Sequence, residues 1–152
     1  MRRIGILANT QKPHAQEGVL RLLHLARKWN LTVYATPEVI ALADRPADLT
    51  PIQNWSEVDI LVVLGGDGTL LQAVRELEGR DCPVLGVNLG SLGFLTAVPE
   101  NELDRAVESL ARDQLVFSQR AMISGAVWRN EQVVGRCQAL NDIVIRSSGG
   151  RV

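Results

Sequence analysis

The sequence predicts an α/β fold, a doubly wound parallel sheet, followed by the opening strands of a second, all-β region. Three observations carry this. Residues 58–64 are apolar almost without a break, the mark of a strand buried on both faces, as in a parallel sheet. Up to Arg112, strand-length apolar runs alternate with helically spaced ones. After Gln114 the helical windows stop and short strand-like runs follow one another across turns.

The elements follow in order. Residues 4–8 are a strand-length apolar run, and residues 17–29 place Val19, Leu22, Leu23, Leu25, Ala26 and Trp29 on one broad helical face. Residues 31–35 read as a second strand. Pro37, Pro46 and Pro51, set among polar residues, divide 36–57 into a short helix near 38–43 and a surface loop. Glycines at 65, 66 and 68 break the long apolar strand, and helical spacing resumes over 70–77. A fourth strand covers 83–88, and a helix over 100–112 sets Leu103, Val107 and Leu110 on one side. Strands are then expected at 115–117, 122–128, 132–135 and 139–145, with Arg129-Asn130-Glu131 as a turn. This divides the chain into an α/β domain over 1–117 and the start of a β-rich domain over 118–152. Two or three strands without a facing sheet are marginal alone, so the second domain reads as cut short.

Composition removes several classes. The 152 residues carry 16 Lys+Arg against 17 Asp+Glu, a formal charge of −1. Residues 1–50 hold seven basic and four acidic side chains (+3), and 51–152 hold nine and thirteen (−4). The whole-chain balance argues against a globally basic nucleic-acid binder, and 4 % aromatic residues are too few for a base-stacking platform. Apolar residues at 46 % suffice for a real core. Cys82 and Cys137 are isolated, which argues against zinc and disulfides and for reduced thiols in a cytoplasmic protein. The N-terminal apolar run is too short for a signal peptide, and no run approaches a membrane span.

The chemistry concentrates in three places. The first is Gly65-Gly66-Asp67-Gly68-Thr69, at the carboxyl end of a parallel strand and leading into a helix. Glycines let a ligand approach the backbone, and a helix N-terminus offers unpaired N–H groups and partial positive charge to a phosphate. Asp67 is the odd member, since a carboxylate repels phosphate; it makes sense if it binds a hydroxyl, takes its proton or meets a metal. The plain alternative is a tight turn in which Asp67 or Thr69 caps the helix. The segment is neither G-x-G-x-x-G nor a Walker A loop.

The second place is residues 86–96, Gly-Val-Asn-Leu-Gly-Ser-Leu-Gly-Phe-Leu-Thr, after the next strand. Asn88 offers both a donor and acceptors, and Phe94 a flat apolar face for a base; plain core packing is the alternative for Phe94. Neighbouring strand ends of a parallel sheet form one crevice, so the two loops support each other. The third is Asn141-Asp142, opening the apolar run 143–145. An Asn-Asp pair can grip the vicinal hydroxyls of a ribose, or it can be a solvated turn.

Together and in this order, these features resemble the NAD kinase family. Residues 65–69 match its G-G-D-G-T motif, residues 86–96 its N-x-G-x-L-G-F-L-T stretch, and residues 139–145 the Asn-Glu/Asp motif that opens its β-rich domain. The first motif alone is shared with diacylglycerol kinases, sphingosine kinases and phosphofructokinases. The resemblance implies a Rossmann-like first domain. It also implies transfer of the γ-phosphoryl of ATP, or of polyphosphate, to the 2′-hydroxyl of the adenosine ribose of NAD. On that reading Asp67 is the proton acceptor. Gly65, Gly66, Gly68 and Thr69 meet the phosphates, Leu71 and Phe94 border the adenine with Asn88 nearby, and Asn141 and Asp142 bind the dinucleotide. Magnesium, or another divalent cation, rides on the phosphates, with no metal held by the protein itself. Gln72 stands where many members carry a basic or small residue and is left outside the site. A full-length member is expected to be a homo-oligomer with no nucleic-acid or membrane partner. Two alternatives stay open: a lipid kinase of the diacylglycerol kinase type, and a catalytically incomplete nucleotide-binding fragment.

Overall fold

The structure, a computed structural model, describes residues 2–90 and 93–146. Ser91 and Leu92 of the second glycine-rich stretch, and residues 147–152, lie outside the described residues. The chain divides into two compact units, Met1–Phe117 and Ser118–Val152.

The first unit is a six-stranded, all-parallel sheet. Its strands are β1 (Arg3–Ala8), β2 (Thr32–Ala35), β3 (Leu49–Pro51), β4 (Ile60–Gly65), β5 (Val84–Asn88) and β6 (Val98–Pro99). They lie in the order β3-β2-β1-β4-β5-β6, so the order reverses between β1 and β4. That reversal opens a crevice at the carboxyl edge, the place where doubly wound sheets bind ligands. The helices are α1 (Ala15–Lys28), α2 (Pro37–Leu42), α3 (Asp67–Glu76) and α4 (Leu103–Ala111). Every residue of β4 is buried, as its unbroken apolarity requires.

Alternation sorts the strand side chains into two layers. Ile4, Ile6, Ile60, Val62, Leu64, Leu85 and Val87 join the buried faces of α1 and α4 in the main core. On the opposite face a Cβ on Gly5 would meet Trp55, Val58 and Leu61. On that same face Gly86 lies so close to Leu70 of α3 and to Thr96 that a side chain would force one of them to move. Arg3–Asp59, Arg27–Asp48 and Arg21–Asp104 ion pairs, at 2.7, 2.6 and 2.9 Å, tie the exposed margins, where such pairs add little stability. Among the described residues no helix is long and apolar enough to cross a membrane.

Several elements differ from expectation. β3 falls within the stretch read as loop, and β6 is an additional strand. Each is two or three residues long, ends in proline and sits at a sheet edge, where a missing N–H costs no ladder bond. Residues 115–117 form no strand, and Val116 and Phe117 are exposed.

The second unit is an antiparallel ribbon of β7 (Ile123–Arg129) and β8 (Gln132–Ala139). Asn130 and Glu131 both have positive φ, 47° and 63°, the backbone of a two-residue hairpin turn whose twist suits the ribbon. The strands read separately at 132–135 and 139–145 are instead one strand ending at Ala139. Residues 140–146 pair with no strand among the described residues, although Ile143 packs across Gly125 of β7.

Candidate functional site

The end of β4 and the start of α3 make the centre of the site. Gly66 is the N-cap and the helix begins at Asp67, three residues before the apolar pattern suggests. The Thr69 hydroxyl accepts a hydrogen bond from the Gly66 N–H at 3.4 Å, and Thr69 is buried. Thr69 also packs against Gly65, where a Cβ would collide with its side chain. These two residues therefore build the turn. Gly66 and Gly68 do something else: a Cβ on either would meet nothing within 4 Å, so both backbones face open space at the helix N-terminus. That is the surface a phosphate needs.

Asp67 is held by the loop that follows β5. Its Oδ2 accepts from the Phe94 N–H at 2.9 Å, and its Oδ1 accepts from the Leu95 and Thr96 N–H groups at 3.0 and 3.2 Å. The Thr96 hydroxyl adds a bond to Oδ1 at 3.3 Å. The Phe94 amide foremost, then those of Leu95 and Thr96, hold the Asp67 carboxyl below the usual carboxylate range. A Cβ on Gly93 would collide with this carboxylate, which explains the glycine. A carboxylate offers about four acceptor positions, so Oδ2 keeps room for one more donor such as a hydroxyl. The same four bonds make it a poor ligand for a cation.

Asn88 is 3 % exposed and holds the loop from beneath. Its amide donates to the Thr96 hydroxyl at 2.9 Å and its Oδ1 accepts from the Gly90 N–H at 2.8 Å. Phe94, by contrast, is 99 % exposed, so the core-packing alternative for it is corrected: the ring stands in solvent, and it is the backbone N–H of this residue that meets Asp67. Leu71 is half-buried on α3, one position past the buried Leu70. Asn141 and Asp142 belong to the second unit, are exposed, and open no strand.

Three further features carry no sequence signature. The turn after β1 crosses the end of β4, with the Asn9 N–H donating to the Leu64 carbonyl at 2.9 Å. It brings Lys12 Nζ to 3.8 Å from where a Cβ of Gly90 would sit. Beside that turn, at the carboxyl ends of β1, β2 and β3, lies a cavity of about 600 Å³ whose wall includes Gln72 and Glu76 of α3. Among the described residues one further cluster, His14, Glu17 and Glu100, brings its ligand atoms within 4.8 Å of one another, and Asp67 is not part of it.

Comparison with known proteins bears on this arrangement. Residues 4–115 match the family model of the ATP-NAD kinase N-terminal domain. A NAD kinase of Syntrophotalea carbinolica is 38 % identical over 148 residues, 95 % of this chain and 51 % of its own length. One of Moorella thermoacetica is 37 % identical over 145 residues, 95 % of this chain and 46 % of its own. The chain thus spans about half the length of these relatives. Among solved structures, yeast NADH kinase complexed with NADH matches at a TM-score of 0.78, with 20 % identity, covering 93 % of this chain and 47 % of that one. An NAD kinase from Archaeoglobus fulgidus in complex with ATP matches at 0.59, also 20 % identical, covering 86 % and 45 %. At that identity the structural likeness speaks to the fold alone. The lipid kinase alternative draws no support from these relatives. On its family model and its relatives, the chain belongs to the NAD kinase family.

Proposed function

We propose that this chain carries the glycine-rich part of an NAD kinase active site. The reaction is transfer of the γ-phosphoryl of ATP, or a terminal phosphoryl of polyphosphate, to the 2′-hydroxyl of the adenosine ribose of NAD. The carrying observation is Asp67, fixed by three loop amides beside two glycines that leave the helix N-terminus open.

The chemistry follows from that placement. The backbone at Gly66 and Gly68 receives phosphate oxygens, with Gly65 and Thr69 shaping the turn. Asp67 Oδ2 accepts the hydrogen of the 2′-hydroxyl and so turns the oxygen lone pair toward phosphorus. As the oxygen–phosphorus bond forms, the bond from γ-phosphorus to the bridging oxygen breaks, the proton passes by way of Asp67 to solvent, and ADP leaves. A carboxylate with a lowered pKa is a weak base but stays ionised, which suits aligning and polarising a hydroxyl rather than stripping it. Phosphoryl transfer asks mainly for alignment and charge neutralisation, so this is sufficient work for one side chain. Phe94 and Leu71 border the adenine, Asn88 holds the loop in reach, and Asn141 with Asp142 binds the dinucleotide. A divalent cation such as magnesium, a cytoplasmic location and a homo-oligomeric longer protein complete the reading.

The test is NADP formation from NAD, ATP and Mg²⁺ in a protein of the relatives' full length, beside its Asp67→Asn variant. General-base and aligning groups contribute about 10²–10⁴-fold, so a loss of at least about a hundredfold is expected with an unchanged circular dichroism spectrum. A fully active variant would remove Asp67 from the chemistry. For the 152-residue chain by itself, binding of NAD without turnover is expected.

A further inference from the structure

Thr96 meets Asp67 through its side chain as well as its amide, and the reaction as described so far makes no use of the side chain. The residue lies beneath the loop after β5 and is 1 % exposed, so water does not compete for its hydroxyl. Packing sets its place. A Cβ on Gly86 would lie 3.2 Å from the Thr96 Cα and 3.3 Å from its methyl, so the bare glycine is the seat of this residue. A β-branched side chain with its methyl pinned is confined at χ1, and the rotamer it holds aims the oxygen at both Asn88 and Asp67.

The direction of the hydroxyl hydrogen follows from its neighbours. Asn88 Oδ1 accepts from the Gly90 N–H at 2.8 Å, which turns the NH₂ group of Asn88 toward Thr96. That group can only donate, so the Thr96 oxygen accepts from it at 2.9 Å. A carboxylate can only accept, so the one hydroxyl hydrogen of Thr96 points to Asp67 Oδ1 at 3.3 Å. With the Leu95 and Thr96 amides, Oδ1 then carries three donors, whereas Oδ2 carries the Phe94 amide. The asymmetry between the two oxygens therefore starts at Gly90, passes through the side chain of Asn88 and ends in the hydroxyl of Thr96.

We propose that Thr96 is a positioning residue for the reaction: its hydroxyl, turned by Asn88, closes Oδ1 of Asp67 and leaves Oδ2 as the atom that receives the substrate hydroxyl. This rests on the kinase reading and deepens it. Thr96 gives up no proton, because an alcohol is far too weak an acid to protonate a carboxylate; the line of bonds orients Asp67 and does not titrate with it. A donor on Oδ1 favours the charged carboxylate, as the amides of Phe94, Leu95 and Thr96 do, and so keeps Asp67 ionised further into acid. Charged side chains stand back from it. Residues 89–97 of the loop carry none, Lys12 lies at the Gly90 end, and Arg75 and Glu76 are about two helical turns along α3.

The test uses a protein of the relatives' full length and two readouts: the ¹³C titration of the Asp67 side-chain carboxyl, and the pH profile of kcat for NADP formation from NAD, ATP and Mg²⁺. Thr96→Val keeps the shape and removes the hydroxyl. Asp67 should then titrate at higher pH and the acid limb of kcat should move the same way, a loss of about threefold or more on the acid side against less than about twofold on the plateau. Thr96→Ser keeps the hydroxyl and should restore the limb. Asn88→Ala removes the donor that turns the hydroxyl, so it should move the limb when Thr96 is present and leave it in place in the Thr96→Val background. Asn88→Ala alone carries the test if Thr96→Val does not fold. An equal loss at every pH with the Asp67 titration unmoved would make Thr96 part of the scaffold only and overturn the proposal. The kinase reading fails separately. A protein that forms no NADP at any pH would remove the reaction, and the Asp67 titration would still decide whether Thr96 closes Oδ1. NADP formed by Thr96→Val with the wild-type acid limb would keep the reaction and remove the role of Thr96.

Discussion

β4 and β7 are strands of nearly equal length, six and seven residues, and both carry isoleucine, valine and little charge. All of β4 is buried, while β7 is exposed at every position except the half-buried Gly125. The difference lies in neighbours. β4 has β1 on one side, β5 on the other and a helical layer over each face, whereas among the described residues β7 pairs with β8 alone. Apolar side chains stabilise when another layer takes them out of water, and a lone ribbon provides none.

The most direct way to break this comparison is truncation. Leu61→Ala, at a fully buried position of β4, should cost about 2–5 kcal/mol in urea unfolding. Val127→Ala, 59 % exposed in β7, should change stability by less than about 0.5 kcal/mol. Equal losses would show that the ribbon has a core of its own. Gly93→Ala sharpens it within the first unit. The new Cβ collides with the Asp67 carboxylate, so a loss of about 1–3 kcal/mol is expected, with faster hydrogen exchange at Phe94–Thr96. Gly68→Ala points into open space and should leave stability within about 0.5 kcal/mol; a loss equal to that of Gly93→Ala would contradict the open cradle.

Acid provides a third probe. Asp48, Asp59 and Asp104 are held below the usual carboxylate range by Arg27, Arg3 and Arg21 respectively, and Asp67 by the Phe94 amide. All four lie in the first unit. An unfolded Asp titrates near about 3.9, so their contribution is whole above that value and is lost as pH falls through the lowered folded values. Urea midpoints of the sheet should therefore fall gently below about pH 4, the exposed pairs being screened by solvent, and Asp59→Asn should make that fall slightly shallower. An unchanged slope would detach the Arg3 pair from stability. A small stabilising effect is expected at the ribbon's turn. Glu131, at a φ of 63°, occupies a left-handed position that glycine takes without cost, so Glu131→Gly should tighten the hairpin by about 0.5–1 kcal/mol. Sharper dispersion of the β7 and β8 amide signals would report it.

The same contrast explains what the sequence made legible. A strand buried on both faces leaves an unmistakable run, and residues 58–64 placed β4 at the centre of a parallel sheet. α1 and α4 were equally plain, since one face of each meets the core. β3 and β6 were not, because edge strands of two or three residues ending in proline look like loop. The start of α3 was hidden by its glycines, which are poor helix formers placed there to leave space. The run at 143–145 looked like a strand because apolarity alone does not say whether a partner exists. At the site, the glycine-rich motifs could be read directly. What they do for Asp67 could not, since its partners are the backbone amides of Phe94, Leu95 and Thr96, and a backbone N–H is the same in every residue but proline. Lys12 carries no signal for the opposite reason, as a polar side chain of a kind found on any surface.

Trp55, which lies over Gly5 and forms part of the cavity wall, has a practical consequence. The chain has three tryptophans, and the other two stand elsewhere: Trp29 beneath the cations of Lys28 and Arg112, and Trp128 in the exposed ribbon. Replacing those two by phenylalanine leaves a single indole at the cavity rim. Its emission then becomes an optical gauge of the cavity wall and of the sheet face around Gly5, free of signal from the ribbon and from the cation-flanked indole.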